Sequence, residues 1–222
     1  MGNDLIPLYV MISLILTFSA GCSHLPRIIE LHDPLSAKEH LQLAMAYEEK
    51  KENDLALREY EEVLKKKEFQ GEAYTNMANI YLSQGKEKLA ETFYLKSIQA
   101  NPHYGKAYNN LAWLYMSENK DLDRAETLLI NAIEKDPEHS ASYLDTLGSV
   151  YEKKGKWEQS LETLKKAEKE GFNGNVQIET EFLKHLEKVL IALKKNTDAD
   201  AVRQKILAIE GRLPEEVPPH GH

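Results

Sequence analysis

The sequence predicts an all-α fold, a right-handed α-solenoid of helix–turn–helix repeats, and three observations carry that expectation. Tyr47, Tyr81, Tyr115 and Tyr151 recur at intervals of 34, 34 and 36 residues, and a period near 34 marks a stacked array of helical hairpins. The tyrosines themselves read as core. Small residues keep the same beat. Ala44, Ala78, Ala112 and Gly148 stand three places before each tyrosine, and Ala56, Ala90, Ala125 and Ser160 follow on the second helix. Small side chains there let the two helices of a hairpin cross closely, where larger ones would force strain or voids. Turn formers complete the pattern. Gly85, Asn119 and Gly155 each lie four residues after a tyrosine, and Gly and Asn tolerate the left-handed backbone that ends a helix.

The elements follow in order. Leu5 to Phe18 is an apolar run, too short for a comfortable membrane span. It ends in Ser19-Ala20-Gly21 before Cys22, so residues 1–21 read as an export signal. Residues 22–36 read as a short tether containing Pro26 and Pro34. Four repeats span 37–70, 71–104, 105–140 and 141–174. Ser36 and Glu39 form a capping box that opens the first helix. Pro102 and Pro137 stop the second helices of repeats two and three, since proline removes a donor and clashes inside a helix. After Gly171 the register slips. Residues 175–210 read as a degenerate fifth repeat acting as a cap. Its first helix, about 176–195, turns Phe182, Leu183, Leu186, Val189, Leu190 and Leu193 inward. Its second, about 198–209, turns Val202, Ile206 and Leu207 inward, and Glu187 takes the place of the small residue. The tail, 211–222, is rich in proline and polar residues and reads as disordered.

The repeats resemble the tetratricopeptide repeat family. Repeat two carries Tyr74, Met77, Ala78, Tyr81, Ala90, Tyr94 and Pro102, and repeat three carries Tyr108, Leu111, Ala112, Tyr115, Ala125, Ala132 and Pro137. Repeat four carries Leu144, Leu147, Gly148, Tyr151, Ser160, Leu164 and Ala167. Repeat one is looser, with Leu43, Ala44, Tyr47, Ala56, Tyr60 and Val63 and no closing proline. The residues around Cys22 resemble the bacterial lipoprotein lipobox, although Ser19 stands where that motif usually has leucine and the n-region lacks Lys and Arg. That resemblance implies that Cys22 opens the mature protein and carries lipid, and Ser23 implies sorting to the outer membrane, facing the periplasm. An uncleaved anchor and a plain secreted protein are the alternatives. At the level of architecture the chain is similar to the tetratricopeptide lipoproteins that assist type IV pilus secretins, and to those that scaffold peptidoglycan hydrolases.

Composition narrows the function classes. Thirty-six acids against 28 bases leave a net charge of −8, which argues against nucleic acid as a partner. Cys22 is the single cysteine, so no disulfide framework can form within the chain. The eight histidines are scattered, and no zinc-protease, phosphate-loop or nucleophile-elbow motif occurs. The sequence therefore reads as non-enzymatic, without cofactor or metal. Pairs such as Glu61 with Glu62 are adjacent and do not face each other on a helix.

Function is expected on the inner groove, which the family lines with the first helix of each repeat. The resemblance places Asn76 and Asn79 of repeat two, Lys106, Asn109, Asn110, Trp113 and Met116 of repeat three, and Asp145 of repeat four on that surface. The asparagines could hydrogen-bond an extended peptide. Trp113 has two readings, an exposed anchor for a partner or packing against the neighbouring repeat. A carboxylate clamp of the chaperone-binding type is rejected, because Thr75, Ser142 and Thr146 stand where its bases would be. The reading is a protein-binding adaptor held at a membrane, whose groove takes a peptide or helix of an envelope, secretion or pilus component. The alternatives are a self-associating envelope lipoprotein and an accessory subunit of an exported enzyme or of a polysaccharide or peptidase system.

Overall fold

The computed structural model describes residues 33–117, 121–172 and 174–211. The following concerns the compact unit Leu35–His222. The readings of Cys22, the export signal, Asn119 and the tail from Arg212 onward concern residues outside those described. Among the described residues there are ten α-helices: α1 (Ala37–Glu49), α2 (Asn53–Lys66), α3 (Gln70–Ser83), α4 (Glu87–Ala100), α5 (Gly105–Ser117), α6 (Leu122–Lys135), α7 (Ser140–Lys153), α8 (Trp157–Glu170), α9 (Val176–Ala192) and α10 (Asn196–Glu210). No described helix is long and apolar enough to cross a membrane.

The capping box forms. Ser36 N–H donates to Glu39 Oε2 at 2.8 Å, and Glu39 N–H donates back to Ser36 Oγ at 3.3 Å. Ala44, Ala78, Ala112, Ala56, Ala90, Ala125 and Ser160 are fully buried where paired helices cross. A Cβ on Gly148 would lie 2.8 Å from Leu164 Cδ2. A second row of small residues opens the repeats. Gly71 and Gly105 sit one period apart, and Ala37 and Ala141 hold the same place. A Cβ on Gly71 would meet Asn101 Cβ at 2.8 Å, and one on Gly105 would meet Tyr143 Oη at 2.6 Å.

The turns inside four hairpins are alike. Lys51 (φ 61°), Gly85 (71°), Gly155 (71°) and Lys194 (58°) take left-handed backbone. The next amide in each case donates to the carbonyl five residues back at 2.9 Å: Glu52 to Tyr47, Lys86 to Tyr81, Lys156 to Tyr151 and Lys195 to Leu190. This is the six-to-one bond that closes a helix end. The fifth hairpin thus keeps the turn of the others. Ala199, 1% exposed, holds the small place of its second helix, while Glu187 takes the small place of its first. Arg203 Nε donates to Glu187 Oε1 at 2.7 Å, so an ion pair crosses α9 and α10 where the other hairpins use a small side chain. Repeat one lacks a closing proline, and Lys67 and Phe69, both left-handed, make its exit.

Two expectations need correction. The sequence places all four tyrosines of the beat in the core. Only Tyr115 is buried, and Tyr47, Tyr81 and Tyr151 are half-buried. Their hydroxyls lie at the edge: Tyr115 donates to Glu91 and Tyr151 to Glu126 of the preceding repeat. Cations cover the rings, with Arg124 over Tyr115 and Lys156 over Tyr151. In α10, Val202 and Ile206 point inward, but Leu207 is 55% exposed. Adjacent helical residues are about 100° apart, and in α10 that step carries Leu207 off the buried face that holds Val202 and Ile206.

Candidate functional site

The first helices of the hairpins make one face. Helix α3 packs on α5 and α5 on α7, while α1 meets α3 and α7 meets α9 along shared depressions. Two open depressions matter, and α5 contributes to both.

The first, of about 530 Å³, is lined by Leu41, Met45, Glu72, Thr75, Asn76, Asn79, Tyr104, Lys106 and Asn110. It gathers four of the residues expected from sequence: Asn76, Asn79, Lys106 and Asn110. Asn79 Oδ1 accepts from Tyr94 Oη at 2.6 Å and from Asn110 Nδ2 at 3.1 Å. Tyr94 is 1% exposed, and burial pushes its hydroxyl up to about 12. It is therefore a permanent donor at neutral pH, and it sets which way the Asn79 amide turns. The Asn79 Nδ2 group is left as the donor toward the depression. The Thr75 hydroxyl is turned away from it: it donates to Ser97 Oγ at 2.8 Å, and Ser97 donates to the Gly71 carbonyl at 2.6 Å, both bonds buried.

The second, of about 380 Å³, is lined by Trp113 and Met116 of α5, by Ser149, Glu152 and Lys153 of α7, and by Glu181, Lys184, His185 and Lys188 of α9. Trp113 is 48% exposed and Met116 only 1%. The tryptophan is the surface and the methionine is its floor. His185 ties α9 to α7. Its Nδ1 lies 2.7 Å from Asp145 Oδ1, its Nε2 lies 3.3 Å from Glu152 Oε2, and Lys188 bonds the other oxygen of Glu152.

Two of the expected residues line neither depression. Asp145 is half-buried and engaged by His185. Asn109 turns its Nδ2 to Asn110 Oδ1 at 3.4 Å, and its Oδ1 is buried without a partner among the described residues. Sequence reasoning missed the α9 contribution by treating that helix as a cap. The signal was present: Glu181, Lys184, His185 and Lys188 are spaced 3, 1 and 3 residues apart, which puts them on one helical face. No described group of three or more His, Cys, Asp or Glu side chains is placed to hold a metal ion.

Family models described as tetratricopeptide repeat match residues 71–104 and 93–127. These are tetratricopeptide repeats. No curated protein matches the sequence significantly. Among solved structures, PilF of Pseudomonas aeruginosa superposes with a TM-score of 0.67 at 17% identity, over 78% of this chain and 75% of that one. BtubC (BKLC) from P. vanneervenii gives 0.67 at 18% identity, over 83% and 84%. A thermophilic tetratricopeptide-repeat protein of Thermus thermophilus gives 0.60 at 21% identity, over 80% and 93%. At such identities the likeness is one of fold. The face of first helices is the surface that a tetratricopeptide solenoid curves around, and repeats of this kind bind protein partners.

Proposed function

We propose that the chain is a membrane-anchored, non-enzymatic scaffold of the bacterial envelope. It holds a peptide or helix of a secretion, pilus or other envelope component along the face of its first helices. One observation carries the binding half of this reading: Trp113 stands half exposed on that face, next to the depression where buried Tyr94 orients the Asn79 amide. Large aromatic side chains left exposed among polar groups are characteristic anchors for partners. The anchoring half rests on the sequence around Cys22. Two acyl chains or more would hold the repeats stably at a membrane, and one would not. The outer membrane, facing the periplasm, follows from the resemblance at Ser23, and the pilus or secretin client class from the resemblance in architecture.

Capture from detergent-solubilised membranes tests the binding half. Wild type should recover partners that Trp113→Ala and Asn110→Ala lose, and equal yields from all three would sink the groove. Palmitate labelling tests the anchor, with label expected on wild type and none on Cys22→Ser. An unlabelled wild type would remove it.

A specific observation favours self-association as the second reading. Ile191 of α9 and Leu207 of α10 are 49% and 55% exposed at the last hairpin. Light scattering of the full chain in detergent separates the two, because a monomer at high concentration rules stacking out.

A further inference from the structure

We infer that the depression at Trp113 is a subsite for an acidic segment carrying one large apolar residue, and that the groove therefore reads its ligand in one direction. This rests on the scaffold reading and specifies the ligand's chemistry.

The two depressions differ in charge. Around the second, Lys153 comes from α7 and Lys184 and Lys188 from α9. Of the acids that share it, Glu152 is held by Lys188 and lies beside His185 Nε2, and Glu181 is bound by Lys184. Lys184 also meets Glu210 at 3.3 Å. Lys153 is exposed and makes no ion pair among the described residues. Local carboxylates are thus spoken for, and the lysines keep capacity: the Lys184 and Lys188 side chains are 47% and 63% exposed. An ammonium carries three donors, so Lys188 with one intramolecular acid and Lys184 with two each keep a donor for a ligand carboxylate. The lysines frame a tryptophan face on a floor formed by Met116. The first depression is opposite in kind. It holds Glu72 and adjoins Glu48 and Glu49 around Met45, against Lys106 alone. On a chain of net charge −8, an acidic ligand is repelled there and accepted beside Trp113. Two of the three lysines belong to α9, so the fifth hairpin supplies the specificity of this end and does more than close the stack.

Selection of a random twelve-residue display library on the full chain in detergent tests this, read by sequencing the enriched peptides. Wild type should enrich segments with two or more acids flanking an aromatic or leucine, at least tenfold over their basic counterparts. Trp113→Ala should abolish that enrichment. Lys153→Glu, which breaks no ion pair among the described residues, should weaken it severalfold, and Lys153→Glu with Lys188→Glu should turn the bias toward basic peptides. Thermal melts confirm that the variants fold. Enrichment without acidic bias, still lost in Asn110→Ala, would overturn this inference and leave the groove standing. Absence of enrichment in every form would overturn both. A dimer that disappears in Trp113→Ala, with no acidic bias, would also overturn it, assigning the face to a second copy.

Discussion

Trp113 is half exposed, more than full packing on a neighbouring repeat would leave it. Because it contributes little to the core, Trp113→Ala should leave the melting temperature within the scatter of surface substitutions, about 0.5 kcal/mol, while removing capture. Gly148 is the opposite case. Its missing Cβ makes room for Leu164, and His185 Cε1 lies 3.5 Å from the same point. Gly148→Ala should cost about 1–3 kcal/mol by overpacking, seen as a lower melting temperature. An unchanged melt would mean that α7 and α8 do not cross as closely as described. The sequence made Gly148 legible because its three equivalents are alanines. The Asp145–His185 contact was not legible, since 40 residues separate its partners and neither belongs to the repeat signature.

At the scale of elements, the hairpin turn repeats its geometry even where its residue changes. Gly85 and Gly155 were readable from sequence as left-handed positions. Lys51 and Lys194 were not, because lysine has no preference for that region and only the hydrogen bond closing the turn reveals them. An L-residue with a side chain is strained there by roughly 1–2 kcal/mol. Lys51→Gly should therefore stabilise the domain by about 1 kcal/mol, with the gain offset in part by the added freedom of the unfolded chain. Chemical denaturation measures this, and a loss of stability would show that the lysine side chain carries a contact the turn depends on. The same comparison explains why the last hairpin looked degenerate. Its tyrosine, glycine and small first-helix residue are replaced by Leu190, Lys194 and Glu187, yet the bond from Lys195 to Leu190, the buried Ala199 and the Arg203–Glu187 pair rebuild the hairpin. Substitution hid the register, and backbone geometry shows it.

At the scale of the whole molecule, tyrosine hydroxyls set the alkaline limit. Burial is the largest cause for each: Tyr94 and Tyr104 are pushed up to about 12. Tyr60, Tyr115 and Tyr143 are held above the ordinary range by burial and then by hydrogen bonds to Glu48, Glu91 and Asp136. A folded-state value above that of the unfolded chain means the native state keeps protons that the unfolded chain releases. This contribution is full below about pH 10 and is lost as pH rises toward about 12 and beyond. Melting followed by circular dichroism should show a steep fall in melting temperature above about pH 10, and a flat profile there would contradict the buried hydroxyls.

The solenoid was legible because stacking imposes a period on the sequence. The division of its inner face into an amide-lined acidic end and a tryptophan–lysine end was not, because it depends on which side chains are already paired within the chain. The central claim is that a partner lies along the face of the first helices. Site-specific photo-crosslinking tests it most directly, with the photoreactive residue placed in cells at Trp113 or at Ile130, which is 51% exposed on the second helix α6. The account predicts a covalent adduct from position 113 and none from 130. Adducts from 130 alone, equal adducts from both, or none from either would contradict it.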